Sequence, residues 1–281
     1  MTAQLLDGKL VSQKLITQIA EKISKRVKKG YKTPGLAVVL VGDNPASEVY
    51  VRNKVRACKK AGINSISHKL PRNVSAHELY HLIDELNEDD DIHGILVQLP
   101  LPKHIDETEV TNRILPNKDV DGFHAENVGR LALRQPGLRP CTPRGVMTLL
   151  HEYNIIPKSK NCVIVGASNI VGRPLMLEML YAGATVTVCH RFTHDLEQHV
   201  RNAEILCVAI GKTGIVKSEW IPQGCVVIDI AINRQENGKL CGDVEFDKVK
   251  QVASYITPVP GGVGPMTVAT LMQNTYEASL L

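Results

Sequence analysis

Apolar and polar positions recur along this chain with two periods, and those periods divide it into helices and strands. Leu15, Ile16, Ile19, Ala20, Ile23 and Val27 repeat at the spacing of one helix face, with lysines opposite, and predict a helix over residues 8–29. Residues 36–41 form an unbroken apolar run between Pro34-Gly35 and Gly42, as a buried strand would. Ser47 is read as the cap of a helix that runs to Ala61 and stops at Gly62. Residues 63–70 alternate as a strand. Ser75 with Glu78 makes a capping box for a helix to residue 87, and residues 92–99 form a strand halted by Pro100 and Pro102. This β-α-β-α-β rhythm demands a parallel sheet with crossover helices.

Residues 116–142 break the rhythm with Pro116, Gly122, Gly129, Pro136, Gly137 and Pro140, and are read as a hinge region between domains. Thr142-Pro143 then starts a helix to about residue 153. A second β-α series follows: a strand over 162–165, a helix from near Asn169, a strand over 185–189, a helix over 195–202, and strands over 205–210 and 226–231. The simplest reading is a Rossmann-like domain. The last segment, 255–281, is read as a rigid loop and then a helix from about Pro265, with its packing left open. The expected fold is therefore α/β with two domains, one spanning 1–141 with 265–281 and one spanning 142–264, and a cleft between them.

Composition sharpens this picture in three ways. Aromatics make up only 4% of the 281 residues, so the core must be aliphatic, which suits buried parallel strands. A net charge of +4 without a long basic block argues against nucleic acid as a partner; the basic run at 22–32 reads as the solvated face of the first helix. The seven cysteines, at 58, 141, 162, 189, 207, 225 and 241, include no Cys-x-x-Cys pair and several fall in apolar runs, which fits a reducing compartment. Residues 1–7 lack the pattern of a signal peptide, and no apolar run approaches the length of a membrane span. The expected location is cytoplasmic.

A candidate phosphate loop lies between strand 162–165 and the next helix: Gly166, Ala167, Ser168, Asn169, Ile170, Val171 and Gly172. Gly166 permits a tight turn, and the helix N-terminus offers N–H groups to a phosphate. Ser168 stands where the usual dinucleotide fingerprint has its second glycine, so an ordinary β-α turn remains an alternative. The following strand ends in His190-Arg191 rather than in an acidic residue. A basic residue there favours the 2′-phosphate of NADP over the free ribose of NAD, although a solvated loop arginine would look the same.

In the first half, Tyr50 and Lys54 share a helix face, a spacing also common among surface pairs. Gln98 lies at the carboxyl end of a strand, where open α/β sheets bind ligands, and is followed by Leu99. Asp121 sits in a turn-like stretch. His77 and His81 have a helical spacing that zinc can use, but no third ligand is near in sequence, so no metal is expected.

The combination says more than its parts. Tyr50-Val51-Arg52-Asn53-Lys54, Val97 to Pro102, Lys118 to His124, Gly166 to Pro174 and Pro258 to Thr267 occur in this order. Together they resemble the bifunctional methylenetetrahydrofolate dehydrogenase/methenyltetrahydrofolate cyclohydrolase family, often called FolD, over essentially the whole chain. The resemblance implies NADP as cofactor, tetrahydrofolate substrates, one-carbon metabolism feeding purine biosynthesis, and a homodimer. It implies Lys54 as the acid/base group, Gln98 hydrogen-bonding it and tuning its protonation, Tyr50 stacking on the folate, and Asp121 gripping the pterin amino group. Leu99, Pro260, Gly261 and Gly262 would line the folate pocket, and Gly166, Ala167, Ser168, Ile170, His190, Arg191 and Ile232 would contact NADP. Many members have arginine where this chain has Ala167 and serine where it has Arg191, so the basic charge has moved to the end of the second strand. The rival readings are another two-domain NADP dehydrogenase, of shikimate or amino-acid type, and a non-enzymatic NADP sensor. The first gives the Pro258 to Thr267 run no role, and the second gives none to Lys54 with Gln98.

Overall fold

The unbroken apolar runs become the strands of two separate parallel sheets. A computed structural model describes residues 2–281. The first half contains β1 (Gln4–Leu5), α1 (Gly8–Val27), β2 (Gly35–Val41), α2 (Pro45–Ala61), β3 (Asn64–Leu70), α3 (Ala76–Glu88) and β4 (Gly94–Val97). Then come α4 (Glu107–Arg113), α5 (Ala125–Ala132), α6 (Cys141–Glu152), β5 (Asn161–Val165), α7 (Gly172–Tyr181), β6 (Thr185–Cys189) and α8 (Leu196–Arg201). The remainder is β7 (Ile205–Val208), β8 (Val226–Asp229), β9 (Asn233–Arg234), β10 (Leu240–Cys241), α9 (Phe246–Val249), β11 (Tyr255–Ile256) and α10 (Val263–Ala278).

Gln13–Cys141 and Val268–Leu281 form one compact unit, built on the sheet β3-β2-β4. Its central strand β2 is buried at every residue because helices cover both faces. Leu36 and Val38 pack with Ile19, Ile23, Ala57, Leu271 and Met272 from α1, α2 and α10. Ala37, Val39 and Val41 point the other way, toward Leu79, Ile83, Ile95 and Val110. The continuous run thus reflects two buried faces. The final helix contributes Leu271 and Met272 to this core, a packing that periodicity had left open.

Described residues up to Ser12 form the second unit with Thr142–Thr267. Its sheet runs β1-β11-β8-β7-β5-β6, with every neighbouring pair parallel. The chain leaves β5 toward β6 and then crosses back to β7 on the other side of β5. The switch point therefore lies at the carboxyl ends of β5 and β7.

Several local expectations change. Asn44, not Ser47, caps α2: its side chain accepts from Ala46 N and Ser47 N, with Pro45 as the first helical residue. The Ser75–Glu78 capping box is present. Of the expected hinge region 116–142, residues up to Cys141 are packed into the three-stranded unit, and the division between the units falls at its end, after Cys141: Asp119 bridges to Ile95, α5 forms within the stretch, and Val120, Leu138 and Cys141 are buried in the core. α7 starts at Gly172, three residues later than the sequence suggested. Residues 255–256 are a strand, not a loop, and they pair with β1; this pairing draws the amino-terminal residues into the six-stranded sheet. Strands of two residues are too short to show a period. Among the described residues no helix is long and apolar enough to cross a membrane.

Candidate functional site

In the three-stranded unit, α2 carries both Tyr50 and Lys54, and β4 ends one residue before Gln98. Lys54 is only 8% exposed, and its Nζ donates to Gln98 Oε1 at 3.1 Å. The other end of the same amide is committed too. Gln98 Nε2 donates to Leu99 O at 2.7 Å, so the amide cannot turn over without losing both bonds. Gln98 N in turn donates to Val39 O, which ties the residue to the sheet. Tyr50, one helical turn before Lys54, is 42% exposed, and burial of the rest of the ring pushes its phenol above the ordinary value.

Asp121 completes this group. Part of its surface stays open, yet protein surrounds the carboxylate, and that burial pushes it above the usual carboxylate range while the Lys54 charge pulls it down. Its loop is tied down from several directions. Asp119, fully buried, accepts from Gly122 N at 3.1 Å, His124 N at 2.7 Å and Asn127 Nδ2 at 3.0 Å. Gly122 has φ +78°, and a Cβ there would meet the Arg139–Pro140 backbone at 2.5 Å. Cys141 N donates to Asp121 O at 3.1 Å, and its thiol donates to Val120 O and reaches the Asp121 carboxylate. Asn274, from α10, donates to Val120 O at 2.8 Å and Arg139 O at 2.9 Å. Asp119, Cys141 and Asn274 escaped the sequence reading. The one available signal was Asn274, a polar residue on the apolar side of the last helix.

In the six-stranded unit, Pro260, Gly261 and Gly262 form the turn between β11 and α10. Gly261 has φ +112°, its carbonyl accepts from Lys9 N at 3.0 Å, and the Gly262 carbonyl oxygen lies 1.8 Å from where a Gly8 Cβ would stand. That contact demands glycine at position 8.

The Gly166 loop sits at the switch point. Gly166 has φ +127°, and a Cβ there would stand 2.4 Å from Ala209 O; a Cβ on Gly172 would stand 2.0 Å from Gly166 O. Only glycines allow backbone to approach so closely. Ser168 Oγ accepts from Val171 N and Gly172 N, and Ala167 O accepts from Arg173 Nε at 3.2 Å. Ile170 is exposed at the tip. After β6, His190 N donates to Thr193 Oγ1, and the exposed Arg191 guanidinium stacks 4.6 Å over the Phe192 ring. Ile232 is exposed after β8. A cavity of about 380 Å³ in this unit, lined by Lys160, Glu204 and Cys225, opens at the amino ends of β5, β7 and β8, the sheet edge away from Gly166.

Two family descriptions match the chain: "Tetrahydrofolate dehydrogenase/cyclohydrolase, catalytic domain" over residues 6–121, and "Tetrahydrofolate dehydrogenase/cyclohydrolase, NAD(P)-binding domain" over residues 140–280. The chain belongs to the tetrahydrofolate dehydrogenase/cyclohydrolase family. The bifunctional FolD methylenetetrahydrofolate dehydrogenase/cyclohydrolase of Campylobacter jejuni is 50% identical, with a TM-score of 0.97 over 99% of each chain. The Trypanosoma brucei methylenetetrahydrofolate dehydrogenase-cyclohydrolase, solved with NADP and an inhibitor, is 36% identical, with a TM-score of 0.95 over 100% of this chain and 98% of that one. A shikimate dehydrogenase of Aquifex aeolicus shares the fold alone, at 14% identity and a TM-score of 0.53, covering 88% of this chain and 97% of its own. The family match therefore separates this chain from the shikimate-type rival.

Proposed function

We propose that this chain oxidises 5,10-methylenetetrahydrofolate to 5,10-methenyltetrahydrofolate with NADP and hydrolyses the product to 10-formyltetrahydrofolate. The observation that carries this reading is the buried Lys54 amine, held by a Gln98 amide that is itself fixed, with the Asp121 carboxylate close enough to feel its charge.

Bound NADP supplies the hydride acceptor of the first reaction. Gly166, Ala167, Ser168 and Ile170 would hold its pyrophosphate, Ile232 would contact its nicotinamide end after β8, and His190 and Arg191 would take the adenosine end. Arg191 favours the 2′-phosphate because a guanidinium offers paired donors to phosphate oxygens. For the oxidation the protein mainly orients the folate. Tyr50 would offer a ring face to it, Asp121 would accept hydrogen bonds from the pterin amino group, and Leu99, Pro260, Gly261 and Gly262 are its further proposed contacts. The hydrolysis needs proton movement. Water adds to the methenyl carbon and gives up one proton, the new hydroxyl gives up a second as the C=O forms and the C–N5 bond breaks, N5 takes one of the two and the other leaves to solvent; Lys54 carries these protons while Gln98 holds its amine in place.

The same reading places the enzyme in one-carbon supply to purine biosynthesis and in the cytoplasm, which seven cysteines outside any disulfide suit. It also makes the enzyme a homodimer with no nucleic-acid or membrane partner. Among the described residues the outer edge of β6 has no neighbour in the sheet, and Leu180, Tyr181 and Phe192, which bracket it in sequence, are exposed. Mixing the protein with methylenetetrahydrofolate and NADP should raise NADPH absorbance, and methenyltetrahydrofolate absorbance should decay in its presence. Absence of both signals would overturn the reading; sedimentation of the Leu180→Glu variant as a dimer would remove the β6 edge from it.

A further inference from the structure

Beyond β7 and β8 the chain forms two adjacent loops, and both are held by one residue from elsewhere. The ladder ends regularly, with Ala209 N donating to Val165 O and Ile230 N to Val208 O. The next two amides, Ile210 N and Gly211 N, both donate to Asp243 Oδ2, at 2.8 and 3.0 Å. Its other oxygen, Oδ1, accepts at 2.8 Å from Nδ2 of Asn233, the first residue of β9, where the loop after β8 ends. The backbone joins in: Gly214 N donates to Asp243 O at 2.7 Å, and Gly242 O accepts from Thr213 Oγ1 at 3.1 Å and Asn233 Nδ2 at 3.0 Å.

This latch is itself anchored. Asp229, the last residue of β8, accepts from Asp243 N through Oδ1 and from Val244 N through Oδ2, each at 3.0 Å. Thr257 Oγ1 accepts from Asp229 N and donates to Asp229 O. Gly242 leaves no room beside it, since a Cβ there would stand 1.9 Å from Asp229 Oδ2. Asp243 is 0% exposed and Asp229 is buried, and two buried carboxylates side by side are a costly way merely to fill a core. What the arrangement delivers is a fixed pair of loops whose tips display Ile210 and Ile232, 43% and 38% exposed.

Topology says which part of a dinucleotide those tips face. A dinucleotide spans the switch point with its pyrophosphate at the loop after the first strand. The adenosine end falls on the β6 side of β5, so the nicotinamide end falls on the β7 and β8 side. We propose that Asp243 is a positioning residue for the nicotinamide half of NADP, fixing the loops after β7 and β8 so that Ile210 and Ile232 present aliphatic faces to the pyridine ring. This rests on the NADP reading given above.

The test compares two ligands by calorimetry on the full chain: NADP, and 2′,5′-ADP, which lacks the nicotinamide. Asp243→Ala should weaken NADP about tenfold and leave both 2′,5′-ADP affinity and cyclohydrolase kcat/KM within about twofold of the parent. Asp243→Asn keeps an oxygen for the two amides and should recover most of the loss. Equal weakening of both ligands, or an unchanged NADP affinity, would overturn the proposal. If Asp243→Ala does not fold, Asn233→Ala removes one donor and leaves the carboxylate in place; a loss of about threefold confined to NADP supports the role, and no loss overturns it. Should the parent protein bind neither ligand, the cofactor reading itself fails, a result distinct from all of these.

Discussion

In the three-stranded unit the proposed chemistry stands on regular elements, with Lys54 on α2 and Gln98 one residue beyond β4. In the six-stranded unit the loops at the strand ends carry the proposed cofactor contacts, and two buried carboxylates from β8 and the segment after β10 keep them in shape. A side chain on a helix inherits its position from a ladder of backbone hydrogen bonds, whereas a loop must be given partners for each amide that the ladder no longer serves. Substitution in the first unit should therefore remove chemistry and leave the frame, while substitution in the second should disturb the frame before the chemistry.

Removing the Lys54 amine tests the first half of that contrast most severely. Lys54→Ala should lower cyclohydrolase kcat by roughly a thousandfold, with NADP binding by calorimetry unchanged. A variant that still hydrolyses methenyltetrahydrofolate at the parent rate would break the comparison at its strongest point.

The second half has a pH signature. Burial raises the Asp229 carboxyl to about 6, with the neighbouring Asp243 charge adding to the rise against the backbone amides that lower it. A carboxyl with a raised folded-state pKa gives its full stability below its unfolded pKa and loses it as pH climbs through the folded value. Ionising Asp229 should thus cost roughly 3 kcal/mol, incurred between about pH 4 and 6. Carbon NMR of the carboxyl should give a midpoint near 6; a midpoint in the ordinary carboxylate range would show the pair less enclosed than its hydrogen bonds imply.

Crowding gives a somewhat smaller effect. Gly242→Ala places a methyl against Asp229 and should cost roughly 2–3 kcal/mol in urea unfolding, with NADP weakened before hydrolysis is affected. A neutral result would mean that the latch can move aside. The smallest expected change is at the exposed Arg191: Arg191→Ala should weaken NADP about tenfold and leave NAD binding as it was. Equal loss for both would assign Arg191 to something other than the 2′-phosphate.

How much of this was legible beforehand depends on the kind of residue. The Ser75–Glu78 box and the all-buried β2 came through because each is a local pattern of a few consecutive residues. The cap at Asn44 was misjudged although Pro45 marks the first helical position, because Ser47 offered an equally plausible hydroxyl two residues on. Residues 116–142 read as a hinge region by their prolines and glycines, yet Asp119, Cys141 and Asn274 fasten 119–141 into the core through bonds that join residues up to 154 positions apart.

Sequence alone determined the two β-α series, the family and the identity of the candidate residues, since periodicity and motif order are written in neighbouring positions. Tertiary structure decided which of them meet: the Lys54–Gln98 bond spans 44 residues, and the Asp243 hold on Ile210 and Gly211 spans 33 and 32. It also decided that the amino-terminal strand joins the second sheet and that the last helix closes the first core. The physical reason is that a buried polar group needs a partner somewhere, but nothing in the local pattern says from how far along the chain that partner comes.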